Sequence, residues 1–125
     1  MFFHVMVGAN DLEASKQFYD ATFAALGIAG KGKFRENPAA YMYGDPASGL
    51  FFITHTMDGR PATHANGGTI MFKAATADAA AQWYEAGLAD GGSAEDAPAP
   101  GGIPGTLMAR LRDPTGNKIA VIAFT

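Results

Sequence analysis

Apolar positions recur with two different periods along the chain, and the two periods come in the same order twice. The apolar run Phe3–Val7 is typical of a strand, and it precedes a segment in which apolar residues recur every three to four positions, as on the buried face of a helix. The same order of patterns returns from Thr69–Phe72 onwards. The buried faces are predicted to contain Leu12, Tyr19, Phe23 and Leu26 in the first helix and Trp83, Tyr84 and Leu88 in the second.

Each predicted helix has a signal for its start and a signal for its end. Asn10 or Asp11 is placed to accept hydrogen bonds from the free N–H groups of the first helix, and Thr76 is placed to do so for the second. Gly27 and Gly91 follow the helical patterns. They predict where the helices end, since glycine readily adopts the left-handed conformation that terminates helices.

Two apolar segments flank an Asp-Pro turn after each helix, and this arrangement predicts a β-hairpin. The first hairpin is predicted from Ala40–Gly44 and Leu50–Thr56. The second is predicted from Leu107–Arg112 and Lys118–Phe124. Each half of the chain therefore contains a strand, a helix and a hairpin.

The segments around the hairpins have weaker patterns. A further strand is predicted before each hairpin, near Lys33–Glu36 and near Ser93–Ala97. Proline and glycine are concentrated in Ala97–Gly105, which predicts a loop, because proline removes hydrogen-bond donors and glycine removes backbone restraint. The polar, turn-rich segment Met57–Gly68 is predicted to link the two halves.

The two halves also resemble each other in sequence. A shift of 65 positions places Gln17–Ala21 on Gln82–Ala86, with identical or chemically matched residues at all five places, and the flanking strands and Asp-Pro turns follow in the same order. We interpret this as an internal duplication rather than a chance likeness of two helices. The prediction is a single domain over residues 1–125, with module one at 1–60 and module two at 67–125.

Composition narrows the range of functions. The 125 residues are 48% hydrophobic and carry a net charge of −3, and no run of Lys or Arg could follow a phosphate backbone, so nucleic acid is not an expected partner. No apolar run is long enough to cross a bilayer, so no membrane contact is expected, and the opening segment is predicted as a strand rather than a signal peptide. The chain has no cysteine, which excludes disulfides and thiolate ligands and favours a cytoplasmic location.

Three segments resemble those of a known superfamily: His4–Val7, Asp11–Tyr19 and Arg112–Ile119. The order of the modules is similar to that of the vicinal oxygen chelate superfamily, which includes glyoxalase I, bleomycin-resistance proteins and extradiol dioxygenases. The resemblance implies an α+β fold of two βαβββ modules, with paired sheets forming an incomplete barrel around a cavity. It also implies a homodimer. Because this fold supports several chemistries, the resemblance is more specific for structure than for activity.

Metalloenzymes of that superfamily hold a divalent metal with His and Glu ligands on the first and last strands of each module. Carried over position by position, the resemblance places the ligands at His4, Thr69 and Ala120, and at Phe52 or Ile53. Only His4 can bind a metal. No cofactor is therefore expected, although a divalent metal remains possible at a non-standard site near His4 and His55, with His64 as a further imidazole.

The candidate ligand-binding residues follow from the same strands. An arginine on a strand can clamp a carboxylate or phosphate if it faces a pocket, or it can lie in solvent, and both readings stay open for Arg110. Aromatic residues of the first hairpin could line a pocket or fill the core. The predicted ligand-binding residues are His4, Tyr41, Tyr43, Phe52, Thr69 and Arg110.

Three functions are consistent with these observations. The first is a metal-free protein that binds a small-molecule ligand. The second is a divalent-metal-dependent lyase, isomerase or dioxygenase with an unusual site near His4 and His55. The third is an interaction module whose pocket is closed and whose strand edges pair in a dimer.

Overall fold

The duplicated pattern of the sequence is present in the structure, a computed structural model that describes residues 1–125. The elements are β1 (His4–Gly8), α1 (Leu12–Ala25), β2 (Gly30–Glu36), β3 (Ala39–Asp45), β4 (Gly49–Thr54), β5 (Ile70–Lys73), α2 (Ala77–Ala89), β6 (Ser93–Pro100), β7 (Thr106–Arg112) and β8 (Lys118–Phe124).

The strands form two four-stranded sheets with the same topology. Sheet A has the order β1-β4-β3-β2, and sheet B has the order β5-β8-β7-β6. The first strand of each sheet pairs in parallel with the last, and the other pairs are antiparallel. The predicted α+β fold of two βαβββ modules is therefore confirmed. The sheets do not close into a barrel.

The helices begin and end where their signals predict. The side chains of Asp11 and Thr76 accept hydrogen bonds from the third residue of their helices, at 3.0 Å in both cases. Gly27 and Gly91 follow the C-caps with φ of 73° and 99°. Asn10 has another role, because its side chain exchanges hydrogen bonds with the backbone of Ala62 and so fixes the linker.

One face of each sheet is covered by a helix, and the two helices pack against each other between the modules. Phe18 and Tyr19 of α1 and Trp83 of α2 are fully buried there. Leu88, predicted to be buried, is 38% exposed, and Gly87 takes the buried position. The correction has a packing reason: a glycine at the contact lets the helix backbones approach closely, which turns the next residue outward.

Replacing Gly87 with alanine is expected to lower the free energy of unfolding by about 1–3 kcal/mol, because the added methyl group would overlap the Leu111 side chain and lie 3.2 Å from Phe18. Urea unfolding checks this value. Gly67→Ala is the control, since a Cβ at that linker position meets no atom within 4 Å. Equal stabilities of the two variants would contradict close packing at Gly87.

The segment Ala97–Gly105 is only partly a loop, so that prediction was wrong for its first half. Strand β6 continues to Pro100, which pairs with Leu107. Proline is tolerated here because β6 is the edge of sheet B, where one side of the strand needs no donors. Two register irregularities in the same strand show how it accommodates the residues that weakened its pattern.

Hydrogen bonds around Asp113 join the two modules. This carboxylate is 3% exposed and accepts a 2.7 Å hydrogen bond from the Tyr19 hydroxyl of α1. It also accepts hydrogen bonds from the backbone N–H groups of Thr115, Gly116 and Asn117 in its own turn. The Asn117 side-chain amide donates to Asp113 and to the carbonyl of Gly8 in β1. We call this group of contacts the Asp113 latch.

Candidate functional site

Strand alternation gives sheet A two faces with different surroundings. The face toward α1 belongs to the hydrophobic core and includes Val7, Tyr43, Phe51 and Ile53. No helix covers the opposite side, which we call the helix-free face. Its residues on β1, β3 and β4 are His4, Met6, Ala40, Met42, Leu50, Phe52 and Thr54.

The strand register arranges this face in three rows. His4 lies opposite Leu50, which lies opposite Gly44. The next row is Met6, Phe52 and Met42. The last row begins with Gly8, continues through Thr54 and Ala40, and ends at Arg35 on β2.

Aromatic rings run across the first two rows. The Phe52 ring packs edge-on against the His4 imidazole, with ring centroids 5.2 Å apart, and against the Phe34 ring, with centroids 4.7 Å apart. The centroids of the His4 and Phe3 rings are 6.0 Å apart. Phe52 is 4% exposed, whereas Phe3 is 63% and Phe34 51% exposed. Two open rings beside a buried one form a surface that can accept another flat apolar group.

A β-bulge places a cation beside these rings. Lys33 pairs with Tyr41 and Arg35 pairs with Ala40, so β2 advances two residues while β3 advances one. Such a bulge redirects neighbouring side chains, and here both Phe34 and Arg35 belong to the helix-free face. The Arg35 side chain donates from Nε to the Pro38 carbonyl at 2.8 Å and from Nη2 to Thr54 Oγ1 at 2.7 Å.

Arg35 and Met6 line a cavity of about 680 Å³ beside the linker. Thr54 and His55 contribute to its sheet side, and Asp58 and Arg60 contribute from the linker. The cavity therefore joins the last row of the helix-free face to the segment between the modules.

The structure separates Tyr41 and Tyr43 from this face. Both are on the side that α1 covers, where the Tyr41 hydroxyl donates to Glu13 at 2.6 Å and the Tyr43 hydroxyl donates to Asp20 at 2.8 Å. Tyr43 also borders an apolar cavity of about 580 Å³ between β1 and β5, which includes His4 at its rim. We therefore place both tyrosines in the support of the sheet, not on the face that carries Phe52.

The buried tyrosines make the stability of the fold sensitive to high pH. Burial raises the pKa of Tyr19, as does the neighbouring Asp113 carboxylate, and burial together with the hydrogen bond to Asp20 raises the pKa of Tyr43. A raised pKa in the folded state means that unfolded tyrosines ionise first, near pH 10. The stability from these groups is therefore complete below pH ~10 and is lost as the pH rises above it.

We expect the urea midpoint to fall as the pH rises from ~10 to ~12, and to fall less in the double variant Tyr19→Phe, Tyr43→Phe. Urea unfolding at several pH values across that range checks this difference. The quantity to compare is the slope of the urea midpoint against pH, not the absolute stability. Identical slopes for the native chain and the double variant would contradict the assignment.

The histidines do not meet. His4 lies opposite Leu50 at one end of the sheet, and His55 follows β4 at the other end, five residues beyond Leu50. At ~3.4 Å per residue the two positions are about 17 Å apart, so one ion cannot bind both within a chain. His64 is elsewhere, with its ring next to Gly116 in the second Asp-Pro turn.

The residues around His4 do not fit a divalent metal. No group of three or more His, Cys, Asp or Glu side chains is close enough to hold an ion. The ring against His4 is Phe52, which offers no ligand atom. In module two the corresponding positions are Thr69, which is exposed just before β5, and Ala120, which is fully buried on β8.

Sheet B also has a face that no helix covers, and we call it the helix-free face of sheet B. Arg110 lies on it, in a row with Met71 and Ala120. Its guanidinium forms a 3.0 Å ion pair with Asp96, and the Arg110 side chain is 38% exposed. Arg112 on the same face pairs with Glu95 at 2.8 Å, and this hydrogen bond lowers the pKa of the Glu95 carboxyl. Both arginines of this face are therefore paired with carboxylates of the same chain.

The ligand-binding residues predicted from the sequence include His4 and Phe52, which lie on this face, but they do not include Phe34 and Arg35. The bulge that brings them there depends on pairing between β2 and β3, and it has no signature in the local residues Lys33–Glu36.

Comparisons by sequence and by structure indicate the same superfamily. The model of the Glyoxalase/Bleomycin resistance protein/Dioxygenase superfamily matches residues 2–121. Among solved structures, the chain is similar to a glyoxalase/bleomycin resistance protein from Albidiferax ferrireducens T118, with 44% identity, a TM-score of 0.87, and coverage of 100% of this chain and 99% of that one.

Two more distant structures share the fold. A glyoxalase-related enzyme from Fulvimarina pelagi has 21% identity and a TM-score of 0.74, with 98% of this chain and 87% of that chain covered. Lactoylglutathione lyase from Agrobacterium tumefaciens has 18% identity and a TM-score of 0.65, with coverage of 98% and 92%. No protein with a curated function matches the sequence. Neither helix of the structure is long and apolar enough to span a membrane.

Proposed function

The chain belongs to the Glyoxalase/Bleomycin resistance protein/Dioxygenase superfamily, and from this premise we propose that it binds a small organic molecule on the helix-free face of sheet A without a divalent metal. The contact between Phe52 and His4 carries this proposal. A ring that packs on the imidazole favours an apolar or aromatic ligand at the place where a metal site would need a second donor.

The chemistry of the surrounding rows supports the same conclusion. Met6 and Met42 flank Phe52 in its row, and methionine adapts to ligands of irregular shape. Among the residues predicted from sequence, His4 and Phe52 contribute directly to this proposed site. No carboxylate accompanies them on the three rows of β1, β3 and β4, so we propose no general base and no reaction step.

We further propose that a second copy of the chain covers this face, so that sheet A of one protomer faces sheet B of its partner and the ligand lies between them. The helix-free faces of both sheets expose apolar side chains that a partner would bury. Met6 is 39%, Phe34 51%, Met71 40% and Phe124 57% exposed. Thr69 and Arg110 of sheet B would then complete the wall of the cavity.

A ligand screen by isothermal titration in the presence of EDTA tests the proposal, with a library of neutral and charged, aromatic and aliphatic fragments. We expect fragments that bind with one site per chain, that bind more weakly to Phe34→Ala, and whose affinity is unchanged by EDTA. Leu88→Ala is the control, because Leu88 is exposed on α2, on the opposite side of its sheet. Binding that requires added metal, or that is insensitive to Phe34→Ala, would contradict the proposal.

A further inference from the structure

We propose that the ligand of this site is a planar aromatic anion whose ring packs on the exposed Phe34 ring, beside the buried Phe52, and whose negatively charged group is bound by Arg35. This inference rests on the proposed function, since it assigns a ligand class to the same face.

Arg35 is held in place without being neutralised. Its two hydrogen bonds go to uncharged acceptors, the carbonyl of Pro38 and the hydroxyl of Thr54, and it forms no ion pair with a carboxylate. The side chain is half-buried. A fixed guanidinium with free N–H groups is suited to a carboxylate, which it can bind in a planar, charge-assisted geometry.

The arginines of sheet B differ from Arg35 in this respect. Both arginines on the helix-free face of sheet B have their own carboxylates, Arg110 with Asp96 and Arg112 with Glu95. The nearest acidic residue in sequence to Arg35 is Glu36, and its carboxylate lies 3.6 Å from Lys33 Nζ instead. The chain thus pairs both arginines of module two with carboxylates, whereas Arg35 and Arg60 in module one have no such partner.

The cavity that Arg35 lines has a surplus of positive charge, although the whole chain carries −3. Arg35 and Arg60 line it with a single carboxylate, that of Asp58. Asp58 accepts a hydrogen bond from the Arg60 backbone N–H, and the Arg60 guanidinium has no hydrogen bond within the chain. An anionic group would therefore enter a region of complementary charge.

The aromatic row and Arg35 are close enough for one ligand to contact both. Thr54, which anchors Arg35, follows Phe52 by two residues on β4 and points to the same face, so the two rows are about 7 Å apart. A ring that packs on Phe34, which lies against Phe52, can therefore place a directly attached carboxylate next to Arg35.

Three probes measured by isothermal titration on the full chain in EDTA separate the charge from the ring: 2-naphthoate, the neutral 2-naphthalenemethanol, and the saturated decahydro-2-naphthoate. We expect 2-naphthoate to bind about tenfold or more tightly than the alcohol, and about threefold or more tightly than the saturated acid. The Arg35→Gln variant should bind 2-naphthoate no more tightly than the alcohol. Lys31→Gln is the matched control, because it removes the same charge from the same strand and lines none of the cavities described above.

The outcomes distinguish this inference from the proposed function. If the alcohol binds as tightly as 2-naphthoate, and Phe34→Ala still weakens both, the anionic ligand is wrong and the binding face stands. If Arg35→Gln and Lys31→Gln lower the affinity for 2-naphthoate equally, the effect is general electrostatics and the role of Arg35 is overturned. If no probe binds but neutral or aliphatic fragments from the screen do, only the ligand class is overturned; if nothing binds, both proposals fail.

Discussion

Replacing Asp113 with alanine is expected to lower the free energy of unfolding by about 3–5 kcal/mol, more than any other single change considered for this fold. The buried carboxylate of the Asp113 latch accepts hydrogen bonds from Tyr19, from the Asn117 amide and from three backbone N–H groups. Its loss leaves several donors around a buried position without partners, and it also removes the hydrogen bond that links Tyr19 of α1 to module two.

The duplication supplies a matched control for this prediction. Asp45 begins the equivalent Asp-Pro turn in module one and accepts hydrogen bonds from Ala47 and Ser48, which lower the pKa of its carboxyl. It is exposed and its carboxylate forms hydrogen bonds only within its own turn, so Asp45→Ala should cost much less stability. Urea unfolding of both variants makes the comparison. Similar losses would show that the latch is an ordinary turn with no role between the modules.

A second large effect is expected on assembly. If a second copy covers the face as proposed, Met71→Glu should convert the dimer into a monomer, with the dissociation constant raised by about 100-fold or more, because a carboxylate would be buried against an apolar face. Met71 lies on the helix-free face of sheet B and is 40% exposed. Sedimentation velocity over a range of concentrations measures the effect.

Leu88→Glu is the control for assembly, because Leu88 is 38% exposed but lies on α2, away from the helix-free face. It should leave the dimer intact. A native chain that sediments as a monomer at high micromolar concentration would remove the second copy from the proposed site. Equal dissociation of the Met71→Glu and Leu88→Glu variants would lead to the same conclusion.

The parts of the fold that the sequence predicted correctly depend on local patterns. The helix caps at Asp11 and Thr76, the glycines after each helix and the two hairpins all follow from residues close together in the chain. The duplication then reinforced each prediction, because a pattern found in one module could be checked in the other.

The errors arose where tertiary contacts override local patterns. The prolines of β6 predicted a loop, but an edge strand tolerates them. Leu88 fits the helical period, but the close approach at Gly87 sets which residue is buried. The deciding interactions are the pairing of β6 with β7 and the packing of Gly87 against Phe18 and Leu111, and local patterns show neither.

In the candidate site, too, the sequence predicted some positions correctly, and tertiary contacts decided the others. The family resemblance named His4, but local patterns did not give the faces of the first hairpin, so Tyr41 and Tyr43 were grouped with Phe52 although α1 covers them. Arg110 was singled out because it is an arginine on a strand, and the ion pair with Asp96 became visible only once β6 and β7 were paired.

Metal analysis of the native chain, purified without chelators, tests the central claim most directly when it is repeated on His4→Ala. We predict far less than one equivalent of divalent metal per chain in both proteins, with no difference between them, because Phe52 and not a ligand packs against His4. One equivalent of metal in the native chain that is lost in His4→Ala would contradict a metal-free binding site.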